Sequence, residues 1–322
     1  MTKSELRIVF FGTPEFAVES LRRMVEGGYN VVGVVTMPDK PAGRGKHLQQ
    51  SAVKQYAVEH NLRLLQPVSL KDPEFVEELR SLDATLQVII AFRMLPQVVW
   101  DMPPMGTFNL HASLLPRYRG AAPINWAVIN GDTETGVTTF FLKHEIDTGD
   151  VLQQRRVPIG RHDNAGDIHD RLMMVGADMV IETIDALLEG SVTPIPQDQL
   201  AAAGETPTPA PKIFKDTCHI DWNKPAEQVY NLIRGLAPYP AAWTQLTRND
   251  GSVHDIKIYE TAEPQPLAGN LKPGQVSANG KHLYIACADG MLEILQIQQA
   301  GKRRMTADEF MRGFNADQAT CL

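Results

Sequence analysis

Apolar residues fall along the first two thirds of the chain in two alternating rhythms. From Leu6 to Phe11 the run Leu-Arg-Ile-Val-Phe-Phe is almost continuously apolar, as in a strand buried on both faces. Thr13-Pro14-Glu15 then supplies a capping residue, a first-turn proline and a first-turn acid, which predicts a helix ending at Gly27-Gly28. Asn30 to Thr36 repeats the buried-strand pattern. Beyond a loop come a helix from Ser51, a strand near Leu62 to Gln66, a helix from Asp72 and a strand from Leu86 to Phe92. Strands alternating with helices predict a parallel sheet joined by right-handed crossovers. Gly106 to His111 and Gly136 to Leu142 add strands, and Ala165 to Leu188 sets Ile168, Leu172, Val175, Ile184 and Leu188 on one face of a long helix.

The rhythm breaks after that helix. Pro194 to Pro211 contains five prolines and the run Ala201-Ala202-Ala203-Gly204, a composition suited to an extended linker. One helix follows at Pro225 to Leu236. The remainder is short apolar runs punctuated by turn signals such as Asn279-Gly280 and Asp289-Gly290, which predicts a small β-barrel or sandwich. Thr306-Ala307-Asp308-Glu309 reads as a capping box that opens a short helix. The expected organisation is thus a first domain over residues 1–193, a linker over 194–211 and a second domain over 212–322.

Composition narrows the function classes. At 322 residues, with 43% hydrophobic and 21% charged residues, the chain can bury two modest cores. Its formal charge of -7 argues against a surface uniformly basic for nucleic acid, so any RNA contact must be local. The polar start Met1 to Glu5 and the early stop of the first apolar run at Gly12-Thr13-Pro14 predict neither a signal peptide nor a membrane span, and hence a cytoplasmic protein. The three cysteines have no Cys-x-x-Cys spacing, and the nine histidines form no His-x-x-x-His pair beside acids, so no metal is expected. Gly-x-Gly-x-x-Gly is absent as well, which discounts a nicotinamide cofactor.

Candidate chemistry gathers at the end of the strand that closes with Asn109-Leu110-His111. Positions two apart in a strand share a face, so Asn109 and His111 point the same way. They do so at the carboxyl end of a strand, where open α/β sheets bind ligands. Taken alone, the pair reads more readily as a backbone-bonding amide beside a satisfied core histidine, and the rest of the run shifts that balance. Glu145-Ile146-Asp147-Thr148-Gly149-Asp150 adds carboxylates in a turn between two strand patterns, where Asp147 could equally make only a local Asx-turn. An amide, an imidazole and a carboxylate can between them polarise a carbonyl, move a proton and orient the ring.

Together Asn109, His111, Ser113 to Pro116, Arg119-Gly120 and Asp147-Thr148-Gly149 resemble the signature of the 10-formyltetrahydrofolate-dependent formyltransferase family. That signature is an Asn, a His two residues later, Ser-Leu-Leu-Pro, an Arg-Gly and a distal Asp-x-Gly turn. Similarity to the branch that acts on tRNA runs through Phe11 to Ala17, Pro38 to Lys46, Gln66-Pro67, Gly120 to Ile124, Ile220 to Trp222 and Ala300 to Lys302. Two stretches depart from it. Ala91-Phe92-Arg93 stands where that branch commonly has Ala-Tyr-Gly, and Lys143-His144 replaces residues usually uncharged or acidic; both lie near where the family binds the pterin ring.

The resemblance implies a Rossmann-like parallel-sheet domain followed by a smaller, OB-like β-barrel that binds tRNA. It implies 10-formyltetrahydrofolate as formyl donor without a metal, and an initiator methionyl-tRNA as acceptor, with no membrane and no obligate protein partner. Asn109 and His111 would stabilise the oxyanion, Asp147 would orient His111 and help pass the amine proton, and Ser113, Leu114, Leu115 and Pro116 would wall the folate. The candidate tRNA contacts are Lys40, Arg44 and Lys46 in the loop from Pro38 to Lys46, then Lys212, Lys215 and the run Lys302-Arg303-Arg304. The competing readings are a glycinamide ribonucleotide or sugar-nucleotide formyltransferase, a formyltetrahydrofolate hydrolase, and a catalytically dead RNA-binding module. The second domain argues against the glycinamide enzyme, the Pro38 to Lys46 loop separates the formyltransferase and hydrolase alternatives from the tRNA-directed branch, and intact Asn109, His111 and Asp147 argue against the dead module.

Overall fold

The first apolar run forms β1 (Arg7–Gly12), buried from Ile8 onward. This computed structural model describes residues 2–42, 47–200, 207–314 and 319–322. After β1 come α1 (Glu15–Glu26), β2 (Asn30–Val35), the hairpin strands β3 (Lys40–Ala42) and β4 (His47–Gln49), α2 (Ala52–Glu59) and β5 (Leu64–Leu65). Next are α3 (Pro73–Ser81), β6 (Leu86–Ile90), α4 (Gln97–Trp100), β7 (Thr107–His111), β8 (Arg119–Gly120) and α5 (Pro123–Ile129). The succession closes with β9 (Glu134–Phe141), β10 (Val151–Pro158) and α6 (Ala165–Glu189).

Seven of these strands make one sheet in the order β10-β9-β7-β6-β1-β2-β5. β1 runs parallel to β2 and β6, and β6 parallel to β7, as the alternating pattern predicts. β9 instead runs antiparallel to β7, with Asn109 opposite Phe140 and His111 opposite Thr138. Strand direction leaves no trace in an apolar run, and antiparallel strands beside an otherwise parallel sheet are common. Gly12, Ile90 and Leu110 lie in register, so β1, β6 and β7 end level with one another.

Alternation along β1 divides the packing. Val9 and Phe11 face one side, against Phe75, Val76 and Leu79 of α3 and against Val35, Leu65 and Ile89. Each such buried side chain contributes ~1.5–3 kcal/mol. Helix starts follow the polar residues before them: Ser51 accepts from the Lys54 amide, and Asp72 from the Glu74 amide with Pro73 in the first turn. At α1, however, Pro14 occupies the cap position without a side-chain bond, and the Thr13 hydroxyl is buried without a partner. Glu15 provides the first-turn negative charge there instead.

The chain divides into two units. The first comprises Met1–Gly120, Thr135–Val157 and His169–Pro209, and the second Ala121–Glu134, Pro158–Ile168 and Ala210–Leu322. Two short segments thus group with the C-terminal part, although the apolar pattern assigns them to the first domain. The reason lies in α7 (Ala226–Leu236). The Asn125 side chain donates to the Gly235 carbonyl at 2.8 Å, Arg161 forks onto Glu227, and the Tyr230 hydroxyl donates to the Arg161 carbonyl at 2.9 Å. Such partners lie 66–110 residues away in sequence, beyond the reach of local pattern.

The second unit is antiparallel. After β11 (Pro209–Ala210) and α7 come β12 (Ala242–Thr247), β13 (Val253–Thr261), β14 (Gln265–Pro266), β15 (Val276–Asn279), β16 (His282–Ala286) and β17 (Gly290–Gln299). Then follow β18 (Met305–Thr306), α8 (Ala307–Met311) and β19 (Thr320–Cys321). The main sheet path is β15-β16-β17-β13-β12-β19, with β14 and β18 also on β17. Its two ends meet where the Cys321 amide donates to the Gly274 carbonyl at 2.7 Å and the Val276 amide to the Ala319 carbonyl at 3.1 Å. Gly274 has φ +81°, and a Cβ there would collide with the Cys321 carbonyl oxygen. The interior is filled by Trp222, Ile233, Leu236, Ile258, Leu292 and Phe310, among others. The capping box at Thr306 and Glu309 is formed, and no helix among the described residues is long and apolar enough to cross a membrane.

Candidate active site

The two polar residues at the end of β7 occupy very different surroundings. His111 is buried, and its Nε2 lies 2.8 Å from the Tyr118 carbonyl oxygen. A carbonyl only accepts, so Nε2 carries a hydrogen and donates it. Nδ1 is therefore the ring atom presented to Asp147, whose Oδ2 lies 3.9 Å away. That gap is too long for a direct hydrogen bond and short enough for one polar atom of a ligand to touch both. The ring also meets Phe140 edge to face. Asn109 is partly exposed, but its Oδ1 is buried without any partner. An unmet buried acceptor costs ~1–3 kcal/mol, so the Asn109 amide stands with its bonding incomplete in the free chain, as the Thr13 hydroxyl does.

Asp147 sits in the turn between β9 and β10 at φ +54°, a left-handed conformation that Asp tolerates better than most residues. Its Oδ2 accepts the Gly120 amide at 2.9 Å. Gly149 is demanded by crowding, because a Cβ there would run into the Phe141 carbonyl oxygen. Lys143, from the departing pair Lys143-His144, bonds Asp150 at 2.7 Å, so its charge is balanced locally. Asp147 makes no direct hydrogen bond to the His111 ring that it is expected to orient. Tyr118 holds the ring by hydrogen bond, and Asp147 stands across from its other nitrogen.

Ser113, Leu115 and Pro116 are buried and Leu114 partly so. Several of their polar groups are already engaged. The Ser113 hydroxyl donates to the Arg117 carbonyl at 2.7 Å, and Thr138 donates to the Ser113 carbonyl at 2.6 Å. Thr138 also receives the Leu115 amide at 3.2 Å, and Gln154 donates to the Leu115 carbonyl at 2.7 Å. These bonds fix the shape of the loop. Beside it, the loop after β6 is fixed by Arg93, which donates to the carbonyls of Pro67 and Val68. Burial lowers that guanidinium from its ordinary value.

The cationic candidates divide. Lys40 is exposed in β3, while Arg44 and Lys46 lie outside the described residues. In the second unit Lys212 and Lys215 are both exposed, with their ammonium groups 5.5 Å from the Phe214 ring and 4.9 Å from the Trp243 ring. Arg303 pairs with Glu309 at 2.7 Å, and Arg304 lies 4.4 Å over the Tyr259 ring. Sequence pattern missed four residues that shape the site: Tyr118 by its carbonyl, Thr138 and Gln154 under the Ser113 loop, and Gln197, which is 3% exposed and bonded to the Asp147 turn. Only Thr138 left a signal, a hydroxyl within an apolar strand.

A mixed α/β sheet carrying an Asn-x-His strand end opposite an Asp-x-Gly turn defines a class. The formyl transferase family matches residues 6–184 and its C-terminal domain residues 212–315, and the chain belongs to that family. The chain is 60% identical over 320 residues to the methionyl-tRNA formyltransferase of Bacteroides fragilis, covering 99% of this chain and 98% of that one. It is 60% identical over 315 residues to the methionyl-tRNA formyltransferase of Bacteroides thetaiotaomicron, covering 98% and 97%. The crystal structure of the N-formyltransferase from Helicobacter canadensis, in complex with folinic acid and dTDP-3-aminofucose, matches 93% of this chain and 100% of that one. With a TM-score of 0.65 and 19% identity, it shares the fold.

Proposed function

We propose that this chain transfers the formyl group of 10-formyltetrahydrofolate to the free amine of methionyl-tRNA, the initiator species expected from the sequence. The observation that carries this reading is similarity at 60% identity, over 98% of their length, to relatives named for that activity. The site supports it chemically. When the amine attacks the formyl carbon, the new carbon–nitrogen bond forms, negative charge develops on the formyl oxygen, and the bond to the folate nitrogen then breaks. A proton must leave the amine and one must reach the departing folate nitrogen.

Asn109 suits both ends of the first step. Its amide nitrogen can donate to the developing oxyanion, while its unpartnered Oδ1 can accept a hydrogen from the incoming amine. His111, with Nε2 engaged by Tyr118, would act through Nδ1, carrying the proton in transit. Asp147, 3.9 Å from that nitrogen, stabilises the ring when it is charged. The buried Ser113 to Pro116 loop is the floor on which the donor rests. The exposed Lys212 and Lys215, beside aromatic rings, suit the phosphates and unpaired bases of the tRNA, and Lys40, Arg44 and Lys46 complete the proposed RNA contacts.

The test follows donor consumption. Purified protein mixed with 10-formyltetrahydrofolate should consume it when charged methionyl-tRNA is added and leave it intact with uncharged tRNA. Donor loss without any acceptor would favour the hydrolase reading instead.

A further inference from the structure

We propose that Gln197 is a positioning residue that holds the Asp147 turn in its working geometry. The proposal rests on the reading that Asp147 serves His111. Gln197 belongs to the proline-rich stretch whose composition suggests only a connector, yet it is 3% exposed and every hydrogen-bonding position of its amide is in use. The two Nε2 hydrogens go to the carbonyls of Asp147 and Gly149, both at 2.8 Å. They therefore bracket Thr148 and fix the main chain on either side of it. Oε1 accepts from Arg119 twice, from Nε at 3.0 Å and from Nη2 at 2.7 Å.

These bonds close a circuit with the reacting groups. Three consecutive residues each hold one part of the site. The Tyr118 carbonyl accepts from His111, Arg119 holds Gln197, and the Gly120 amide donates to the Asp147 carboxylate. Asp147 is thus restrained through its side chain by Gly120 and through its main chain by Gln197, at a left-handed φ that the turn must be made to keep. Freed from the Gln197 donors, the turn can relax and carry the carboxylate away from Nδ1.

Gln197→Glu is the informative variant. It keeps the volume and the Arg119 partner, but replaces two donors with an oxygen facing two carbonyl oxygens. Gln197→Leu removes both sets of bonds, and Asp147→Asn is the reference. For Gln197→Glu we expect kcat to fall between ~10-fold and ~10²-fold, with KM for methionyl-tRNA changed less than about three-fold. Added to Asp147→Asn, it should lower kcat by less than about three-fold more, because both changes remove one coupled interaction. Hydrogen exchange at the Gly120 amide, measured in the free protein, should be faster in Gln197→Glu as its bond to Asp147 loosens.

A Gln197→Glu protein with parental kcat overturns the proposal, as does a loss that multiplies with that of Asp147→Asn while Gly120 exchange stays unchanged. If Gln197→Leu fails to fold, the Gln197→Glu comparison decides alone. Asp147→Asn with parental kcat would remove the reading beneath the proposal and the proposal with it. Slow Asp147→Asn beside normal Gln197→Glu removes the proposal alone.

Discussion

The end of β7 and three residues of the connecting stretch, Ile195, Gln197 and Thr208, are placed by opposite means. Asn109 and His111 reach the site because a strand alternates, a rule that needs no knowledge of the rest of the chain. Ile195, Gln197 and Thr208 reach their partners through contacts that no local rule specifies. Ile195 exchanges both backbone bonds with Val151 at 2.8 Å, Gln197 bonds the Asp147 turn, and the Thr208 carbonyl accepts from the Tyr118 amide. A proline-rich composition that disfavours helix and strand is equally well suited to lie along a surface and be bonded there. Under the proposed function the first region carries the chemistry and the second supports its geometry, so changes in the two should differ in kind and in size.

The largest effects belong to β7. His111→Ala should lower kcat by ~10²–10⁴ and Asn109→Ala by ~10²–10³, with circular dichroism and donor affinity little changed. Near-parental turnover in either at saturating substrates would erase the distinction between the regions. Asp147→Asn should cost less, between ~10-fold and ~10²-fold, since the amide keeps the turn's shape but not the charge opposite Nδ1. Steady-state rates at saturating substrates measure it.

Smaller effects are expected just beyond the connecting stretch. Lys212→Ala and Lys215→Ala should each leave kcat unchanged and reduce the slope of log tRNA affinity against log salt by about 1. Filter binding across a salt series reads this, and unaltered slopes would mean that both ammonium groups are merely solvated. The smallest prediction involves no substitution. Amide exchange at Val151 and Ile195 should be slowed at least ~10²-fold relative to an unstructured peptide, since each amide is paired to the other's carbonyl. Peptide-like exchange at Ile195 would show that this pairing with Val151 does not persist in solution.

What the sequence made legible was whatever short-range chemistry determines. Ser51, Asp72 and Thr306 cap their helices as their positions predict, and the alternation of strands and helices foretells the central strands of the first sheet. Thr13 looked like an equally good cap, yet Pro14 takes that position. The antiparallel direction of β9 was hidden because an apolar run reads alike both ways. At the candidate site, the side chains proposed to act by their own chemistry, Asn109, His111 and Asp147, are the ones that residue type and spacing pick out. Groups that act by backbone or over long separations were not: the Tyr118 carbonyl carries no mark of residue type, and Gln197 lies 50 residues from the turn it bonds.

The central claim, formyl transfer to methionyl-tRNA, is tested most directly by offering several acceptors in parallel. Purified protein, 10-formyltetrahydrofolate and equal amounts of methionyl-tRNA, glycinamide ribonucleotide and an amino-sugar nucleotide would be incubated separately and each product identified by mass spectrometry. The account predicts a formyl group on the methionyl amine, with the other two acceptors unmodified on the same time scale. Faster formylation of either small acceptor, or an unformylated methionyl-tRNA beside active protein, would contradict it.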